Sequence, residues 1–256
     1  MLAFCHIPKT AGSTFNYILQ KNFGCNLNSI IPRNGSNYYY KDLKKDQFVY
    51  GGAKCIAGHG LKPFIDYKEF NSKLKWITFF RDPIKRFVSQ YIHQQTSNLS
   101  QYHMPIIDWA EKYERRNWQV KWIAGEEDLI AAKQIIEEKF IFSGVTEKFD
   151  QSLILFRSLL DNKIDISYTT PKMVVRNYNL KNELLNEKYD SLLTFFIEQN
   201  ELDIQLYDFA KRNFEKAFNQ ISLKERSYFE QRSFCREKMF GLKRELLYKP
   251  YVYLTK

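Results

Sequence analysis

The sequence predicts an α/β fold in which a central parallel β-sheet is flanked by layers of helices. Short apolar segments alternate with longer ones in which apolar residues recur every three or four positions. The first pattern is typical of buried strands and the second of amphipathic helices. Strands that alternate with helices favour a parallel sheet covered on both faces. A chain of 256 residues with 44% hydrophobic residues can bury such a core, so we expect one domain over residues 1–256.

The first strand–loop–helix unit opens the chain. Residues 1–7, MLAFCHI, form a short apolar stretch. The turn sequence PKTAG follows, and Phe15, Ile18 and Leu19 then recur at helical spacing. The segment 26–37 is polar and rich in turn residues, so we expect it to connect regular elements.

Two further strand ends follow. YGGAKCIAGHG, residues 50–60, predicts a short strand that runs into a turn flanked by Gly58 and Gly60. KWITFFRDPIKRFVSQYIHQ, residues 75–94, predicts a buried strand over 76–80 and then a helix. Asp82 suits the N-cap of that helix and Pro83 its first turn. The apolar side of the helix would carry Phe87, Val88, Tyr91 and Ile92.

The rest of the chain predicts one more strand, at 140–145, among several helices. The helices are expected near residues 106–116, 127–139, 150–160, 188–198 and 203–218. In the C-terminal segment, apolar residues alternate at spacings of four and three, which predicts an amphipathic helix that packs on the core. These residues are Cys235, Met239, Leu242 and Leu246.

The charge of the chain favours anionic partners. Lys and Arg number 39 against 29 Asp and Glu, for a net charge of +10 and a pI near 9.2. The segment 221–256 holds nine of these basic residues and four Glu, which is half of the excess. Nucleic acid, a phosphorylated cofactor and an acidic polysaccharide all suit this charge. No nucleic-acid-binding motif is found, so a basic nucleic-acid-binding module stays a second hypothesis.

Cysteine usage and hydropathy indicate a cytoplasmic setting. The four cysteines, Cys5, Cys25, Cys55 and Cys235, lack metal-ligand spacing, and two of them lie in apolar stretches. Neither a signal peptide nor a run of about eighteen apolar residues is found. We therefore expect a soluble, cytoplasmic protein with no metal site, and the sequence leaves its oligomeric state open.

The first loop, CHIPKTAGST, has the features of an anion-binding loop. A turn between a strand and a helix directs free backbone N–H groups and the positive helix end at one point. Lys9 adds a charge, Gly12 permits close approach of the backbone, and three hydroxyls are available. These hydroxyls belong to Thr10, Ser13 and Thr14. A nucleotide-hydrolase P-loop ends in Gly-Lys-Ser or Gly-Lys-Thr, whereas Lys9 precedes the small residues. A small-molecule kinase is thus a weaker alternative, and an ordinary surface turn is another.

A second anion contact is predicted at the next helix. Arg81 stands at the carboxyl end of a predicted parallel strand, where open α/β sheets bind ligands. Ser89 follows eight residues later, so both side chains can converge on a second phosphate. The alternative is a structural ion pair between Arg81 and Asp82 or another nearby carboxylate.

HIPKTAGSTF and FFRDPIKRFVSQY together resemble the paired phosphosulfate-binding motifs of carbohydrate sulfotransferases, especially the heparan sulfate 2-O- and 6-O-sulfotransferases. NWQVKWIAG, FSGVTEKFDQSLILF and ELDIQLYDFAKRNF resemble the family more weakly. The resemblance covers the chain to about residue 218 and leaves out 221–256. It implies a P-loop-like three-layer fold.

The resemblance also implies a donor and its site. The donor would be 3′-phosphoadenosine 5′-phosphosulfate (PAPS), with adenosine 3′,5′-bisphosphate (PAP) as product and no metal. Arg81 and Ser89 would bind the 3′-phosphate, and the adenine would lie near Trp122 or Val145. The acceptor would be a saccharide or glycoconjugate. The 5′-phosphosulfate would be bound by Lys9, Thr10, Ala11, Gly12, Ser13 and Thr14.

Sulfuryl transfer needs a base for the acceptor hydroxyl and a cation for the leaving oxygen. Lys9 suits the second role. His59 suits the first, because its two glycine neighbours allow a sharp turn and the pKa of histidine, about 6.5, fits proton transfer. The family also places a histidine between these two motifs, although some relatives use a glutamate. Glu147 is a poorer candidate, and a backbone-bonded turn histidine is the structural alternative for His59.

Relatives in secretory compartments carry a membrane anchor ahead of the donor loop. The loop begins within ten residues of the start here, so we expect a bacterial or viral type of cytoplasmic enzyme. A Golgi enzyme would be expected only if an anchor had been trimmed.

Overall fold

A five-stranded parallel sheet forms the centre of the molecule. The computed structural model describes residues 1–30, 37–49, 52–96, 101, 103–113, 116–160, 163–168 and 189–222. The strand order is β2-β3-β1-β4-β5, with every neighbouring pair parallel. The strands are β1 (Leu2–Cys5), β2 (Leu27–Ile30), β3 (Cys55–Gly58), β4 (Lys75–Phe80) and β5 (Phe140–Val145). The predicted three-layer α/β fold is confirmed.

Helices connect and cover the strands. Among the described residues they are α1 (Gly12–Phe23), α2 (Tyr40–Val49), α3 (Pro83–Gln95), α4 (Ile106–Tyr113), α5 (Trp118–Ala124), α6 (Leu129–Lys139), α7 (Phe149–Ser158), α8 (Tyr189–Gln199) and α9 (Glu201–Asn219). None of these helices is long and apolar enough to cross a membrane. The C-terminal helix predicted around residues 235–246 lies outside the described residues.

Aromatic packing holds the first helix against the sheet. Phe15 of α1 is fully buried, and its ring lies 4.9 Å from that of Phe79 on β4 and 5.0 Å from that of Phe156 on α7. All four residues of β1 are buried as well. Because α1 is fixed at Phe15, the loop that precedes it is held at the edge of the sheet.

The edge strand β2 lies inside the segment that the sequence predicts to be a connection. It pairs with β3, but only Ile30 of its four residues is buried, so the strand lacks the apolar pattern of a core strand. A Cβ at Gly58 would lie 2.2 Å from the Ile30 carbonyl oxygen, so the pairing needs glycine there. The helices α2 and α5 are also additions to the predicted elements.

The predicted start of α3 is confirmed. The Asp82 carboxylate accepts a hydrogen bond from the Lys85 N–H at 2.9 Å, and Pro83 occupies the first turn. Of the predicted apolar side, three members are buried, whereas Tyr91 is half-buried and its hydroxyl donates to the Met104 carbonyl. The cap fixes the point at which the chain leaves β4 and enters α3.

Candidate active site

Three adjacent strand ends meet at one edge of the sheet. The central strand β1 lies between β3 and β4. His59 directly follows β3, Lys9 follows β1 within its loop, and Arg81 directly follows β4. Because carboxyl ends of parallel strands share an edge, the fold brings together the three predicted residues from distant parts of the chain.

The loop between β1 and α1 has an unusual backbone. Lys9 and Ala11 both adopt the left-handed region, with φ of 68° and 63°. For residues other than glycine this conformation costs on the order of 1–3 kcal/mol each, and such strain is concentrated at functional sites. Ala11 is the N-cap of α1 and offers no side-chain acceptor, so it leaves first-turn N–H groups without a side-chain cap. These groups and the helix dipole suit an anion.

The three loop hydroxyls differ in their surroundings. Thr10 is fully buried, and its hydroxyl donates to the Ile7 carbonyl at 2.8 Å, so this proton is used to hold the loop from inside. Ser13 is exposed and Thr14 is half-buried in the first turn of α1. The hydroxyls that remain for a ligand are therefore those of Ser13 and Thr14.

Gly12 makes room for a histidine. A Cβ at this position would lie 1.8 Å from Nε2 of His6, so no larger residue fits without displacing the imidazole. His6 stacks on His59 with ring centroids 4.0 Å apart, and on Phe4 at 5.3 Å. Burial and the positive groups around it lower the pKa of His6 to about 3. The role of Gly12 is thus to seat a neutral His6 beneath the candidate base.

The stack and one hydrogen bond orient His59. Its Nδ1 lies 2.8 Å from the His6 carbonyl oxygen. Since a carbonyl only accepts, Nδ1 carries the proton and Nε2 of the neutral ring is free to accept one. Burial lowers the pKa of His59, the bond to His6 opposes this shift, and the charges of Lys62 and Lys9 reinforce it. A neutral imidazole with an unprotonated Nε2 is the form that a general base requires.

Lys9 is a desolvated cation. Its side chain is half-buried, and burial lowers its pKa to about 8, with a further contribution from the charge of Arg81. A bound anion would relieve both effects. The ammonium is therefore placed in an environment that favours binding of negative charge.

Arg81 joins the two predicted motifs. Its Nη1 donates to the Lys9 carbonyl at 2.8 Å, while its Nε lies 3.9 Å from Oε1 of Glu147. Glu147 itself accepts hydrogen bonds from the Asp82 N–H and the Tyr207 hydroxyl. Nε of Arg81 is buried and has no hydrogen-bond partner among the described residues. The predicted alternative of an ion pair is thus partly realised, with Glu147 rather than Asp82.

Ser89 and His93 lie one turn apart on α3 and so share a face of the helix. Ser89 is half-buried and His93 is exposed. Desolvation and the charge of Lys9 lower the pKa of His93. The remaining histidine, His103, is exposed ahead of α4.

Two residues near His59 were not predicted as a pair. Lys62 is buried, and its ammonium lies over the ring of Trp122, whose edge faces His59 at a centroid distance of 6.1 Å. Burial lowers the pKa of Lys62 to about 7. A lysine within the apolar sequence GLKPF is the signal that could have identified it. Trp122 therefore packs on the His59 side of the site, and Val145 is fully buried at the end of β5.

The backbone of Arg81 is held by a residue that the motifs do not include as a site residue. The side chain of Gln119 accepts from the Arg81 N–H at 3.1 Å and donates to the Arg81 carbonyl at 2.9 Å. Gln119 lies in NWQVKWIAG, but its partner is 38 residues away in the chain.

Among the described residues, no group of three or more His, Cys, Asp or Glu side chains is arranged to hold a metal ion.

Fold and site together define an α/β protein in which Lys9, Arg81 and His59 are grouped at the carboxyl ends of three neighbouring strands. The profile of the sulfotransferase family matches residues 1–228, and the chain belongs to this family. A comparison with curated proteins finds no match. Transfer of a sulfuryl group is therefore the general reaction, and the family match favours it over the kinase and nucleic-acid-binding hypotheses.

Proposed function

We propose that the protein transfers the sulfuryl group of PAPS to a hydroxyl of a carbohydrate acceptor. The observation that carries this proposal is the hydrogen bond of 2.8 Å from Arg81 Nη1 to the Lys9 carbonyl. It joins the donor loop to the strand-end arginine, so two phosphate-binding groups lie at one corner. A donor with phosphates at both the 5′ and the 3′ position suits this arrangement.

The residues present fit such a donor. The uncapped first turn of α1, the Lys9 ammonium and the hydroxyls of Ser13 and Thr14 would hold the 5′-phosphosulfate. The Arg81 guanidinium, which lies beside the loop, and the half-buried Ser89 would hold the 3′-phosphate. When bound, the donor supplies an activated sulfuryl group on a phosphate leaving group.

The chain then has two tasks in an in-line transfer, the removal of a proton and the stabilisation of a developing charge. His59 accepts the acceptor hydroxyl proton at Nε2 while the acceptor oxygen forms a bond to sulfur. The bond between sulfur and the bridging phosphate oxygen breaks, and that oxygen keeps the electron pair. Lys9 stabilises the resulting negative charge. After the products leave, His59 releases this proton to solvent.

A saccharide acceptor is supported by the motif resemblance to carbohydrate sulfotransferases. The net charge of +10 is compatible with an acidic glycan and with a neutral one on a charged carrier.

The decisive experiment incubates the protein with radiolabelled PAPS and a panel of neutral and acidic oligosaccharides. We expect label in at least one saccharide, and mass spectrometry would then locate the modified hydroxyl. His59→Ala should abolish the transfer, whereas His103→Ala, at an exposed position, should not.

Calorimetry tests the donor separately. PAP should bind without added magnesium, and tighter binding of Mg-ATP than of PAP would overturn the proposed donor. Binding of PAP together with no transfer to any saccharide would overturn only the proposed acceptor class.

A further inference from the structure

The side chain of Gln119 is fully buried, and its amide forms hydrogen bonds to both backbone polar groups of one residue, Arg81. Its Oε1 accepts from the Arg81 N–H and its Nε2 donates to the Arg81 carbonyl, at 3.1 and 2.9 Å. This orientation of the amide is fixed, because the opposite one would place two donors and two acceptors face to face. The bonds act where Arg81 leaves β4, so they set the direction from which its side chain departs.

Gln119 is held in turn by a buried carboxylate. Asp203 is fully buried, and its two oxygens accept from the backbone N–H groups of Gln119 and Val120 at 3.0 and 2.8 Å. In the opposite direction, Oδ1 of Asn117 accepts from the N–H groups of Leu202 and Asp203. The first turns of α5 and α9 thus cap each other, which leaves Gln119 little freedom to move.

The guanidinium of Arg81 lies at the far end of this chain of contacts. It donates to the Lys9 carbonyl through Nη1, and its buried Nε has no hydrogen-bond partner among the described residues. A shift of the Arg81 backbone would therefore move the guanidinium, the group predicted to bind the 3′-phosphate, away from its place beside the loop.

We propose that Gln119 is a positioning residue of the donor site that holds Arg81 in place and so sets the preference for nucleotides that carry a 3′-phosphate. This inference rests on the proposed function, since it assigns Arg81 to the 3′-phosphate. It adds a determinant of donor specificity that does not itself touch the donor.

The test compares the affinities of PAP and adenosine 5′-phosphate, which differ only in the 3′-phosphate. Calorimetry gives both dissociation constants for the full chain. The readout is the dissociation constant of adenosine 5′-phosphate divided by that of PAP, which is large when the 3′-phosphate contributes to binding. We expect Arg81→Ala and Gln119→Leu each to lower the ratio by about tenfold, roughly what loss of one or two hydrogen bonds to a charged ligand site produces. A merely structural role would reduce the bound fraction without changing the ratio.

Gln119→Glu gives a second variant in case the leucine variant does not fold. It has the same shape and keeps the acceptor for the Arg81 N–H, but it loses the donor to the Arg81 carbonyl. The ratio should again fall, and combining it with Arg81→Ala should lower the ratio no further than Arg81→Ala alone. Gln205→Leu, at an exposed position on α9, is the matched control.

An unchanged ratio in Gln119→Glu, with a lowered ratio in Arg81→Ala, overturns the positioning role while it leaves the proposed function in place. Equal affinity of the wild-type chain for the two nucleotides contradicts the proposed donor and this inference with it.

Discussion

The loop between β1 and α1 and the junction of α5 with α9 differ in how fully their polar groups are hydrogen-bonded. In the loop, Lys9 and Ala11 adopt strained left-handed conformations and the Lys9 ammonium is desolvated. At the junction, the Asp203 carboxylate and the Asn117 amide satisfy backbone N–H groups of the facing helix. In the loop, the first-turn N–H groups of α1 have no side-chain cap. At the junction, the corresponding N–H groups are paired with side chains.

The difference separates reactivity from stability. A site that must bind an anion keeps its donors and its positive charge available, at a cost in folding free energy. A fully paired buried network instead fixes one arrangement of its elements. Gln119 connects the two regions, because it belongs to the junction and contacts Arg81 of the site.

The largest effect is expected for Lys9→Met. Removing the ammonium should lower kcat by about 10³-fold, as loss of a stabilising group at a developing oxyanion does. The melting temperature should stay equal or rise, because a desolvated charge is removed while the apolar stem is kept. Lys85→Met, at an exposed position of α3, is the control. A fall in kcat of less than tenfold would exclude Lys9 from the role assigned to it.

Gly12→Ala should be the next most harmful change. The added methyl group would meet the His6 ring at 1.8 Å, so the ring or the loop must shift. We expect a loss of about 3 kcal/mol in the free energy of unfolding, at the upper end for overpacking, measured by urea denaturation. Transfer should fall as well, since His59 stacks on His6. Ser13→Ala, one residue on and exposed, should unfold at the wild-type urea concentration; an unchanged midpoint for Gly12→Ala would contradict the packing argument.

Asp203→Asn should affect stability more than chemistry. The amide keeps one acceptor but turns a donor toward a buried backbone N–H, which should cost about 2 kcal/mol in the free energy of unfolding. At saturating donor, kcat per folded molecule should stay within about twofold, in contrast to Lys9→Met. Asp208→Asn, at an exposed position on the same helix, serves as the control. A loss of kcat comparable with that of Lys9→Met would show that the two regions are not separable.

The same contrast explains what the sequence could predict. The strand–loop–helix units and the residues Lys9 and Arg81 are encoded locally, by apolar periodicity and by motifs of about ten residues. The strand over Phe140–Val145 was predicted with its observed bounds. The edge strand β2 was missed because three of its four residues are not buried.

The junction has no comparable local signal. Gln119 meets Arg81 across 38 residues and Asp203 across 84, and a single sequence does not indicate such pairs. The stacking of His6 on His59 likewise depends on the pairing of β1 with β3. Sequence therefore predicts which residues can carry the chemistry, whereas the contacts that hold them in place require the fold.

The smallest expected effect is the change of kcat/KM with pH, which depends on His59 and Lys9. The profile of kcat/KM reports groups of the free enzyme. His59 must be neutral to act as base, and burial lowers its pKa, so activity should fall only below about pH 6.5. Lys9 must be protonated, and its pKa of about 8 should produce a decline at higher pH. At pH 9 the decline should be about tenfold, because most of the free enzyme then has a neutral Lys9.

Lys9→Arg tests the assignment of the alkaline limb. The guanidinium stays protonated throughout this range, so whatever activity the variant retains should no longer decline between pH 8 and pH 9. The acidic limb should be unchanged, because His59 and its bond to the His6 carbonyl are intact. Initial rates from about pH 5.5 to 9.5 give both limbs. An alkaline limb that persists in Lys9→Arg would assign it to another group, of which Lys62, with its lowered pKa and buried position beside Trp122, is the first to examine.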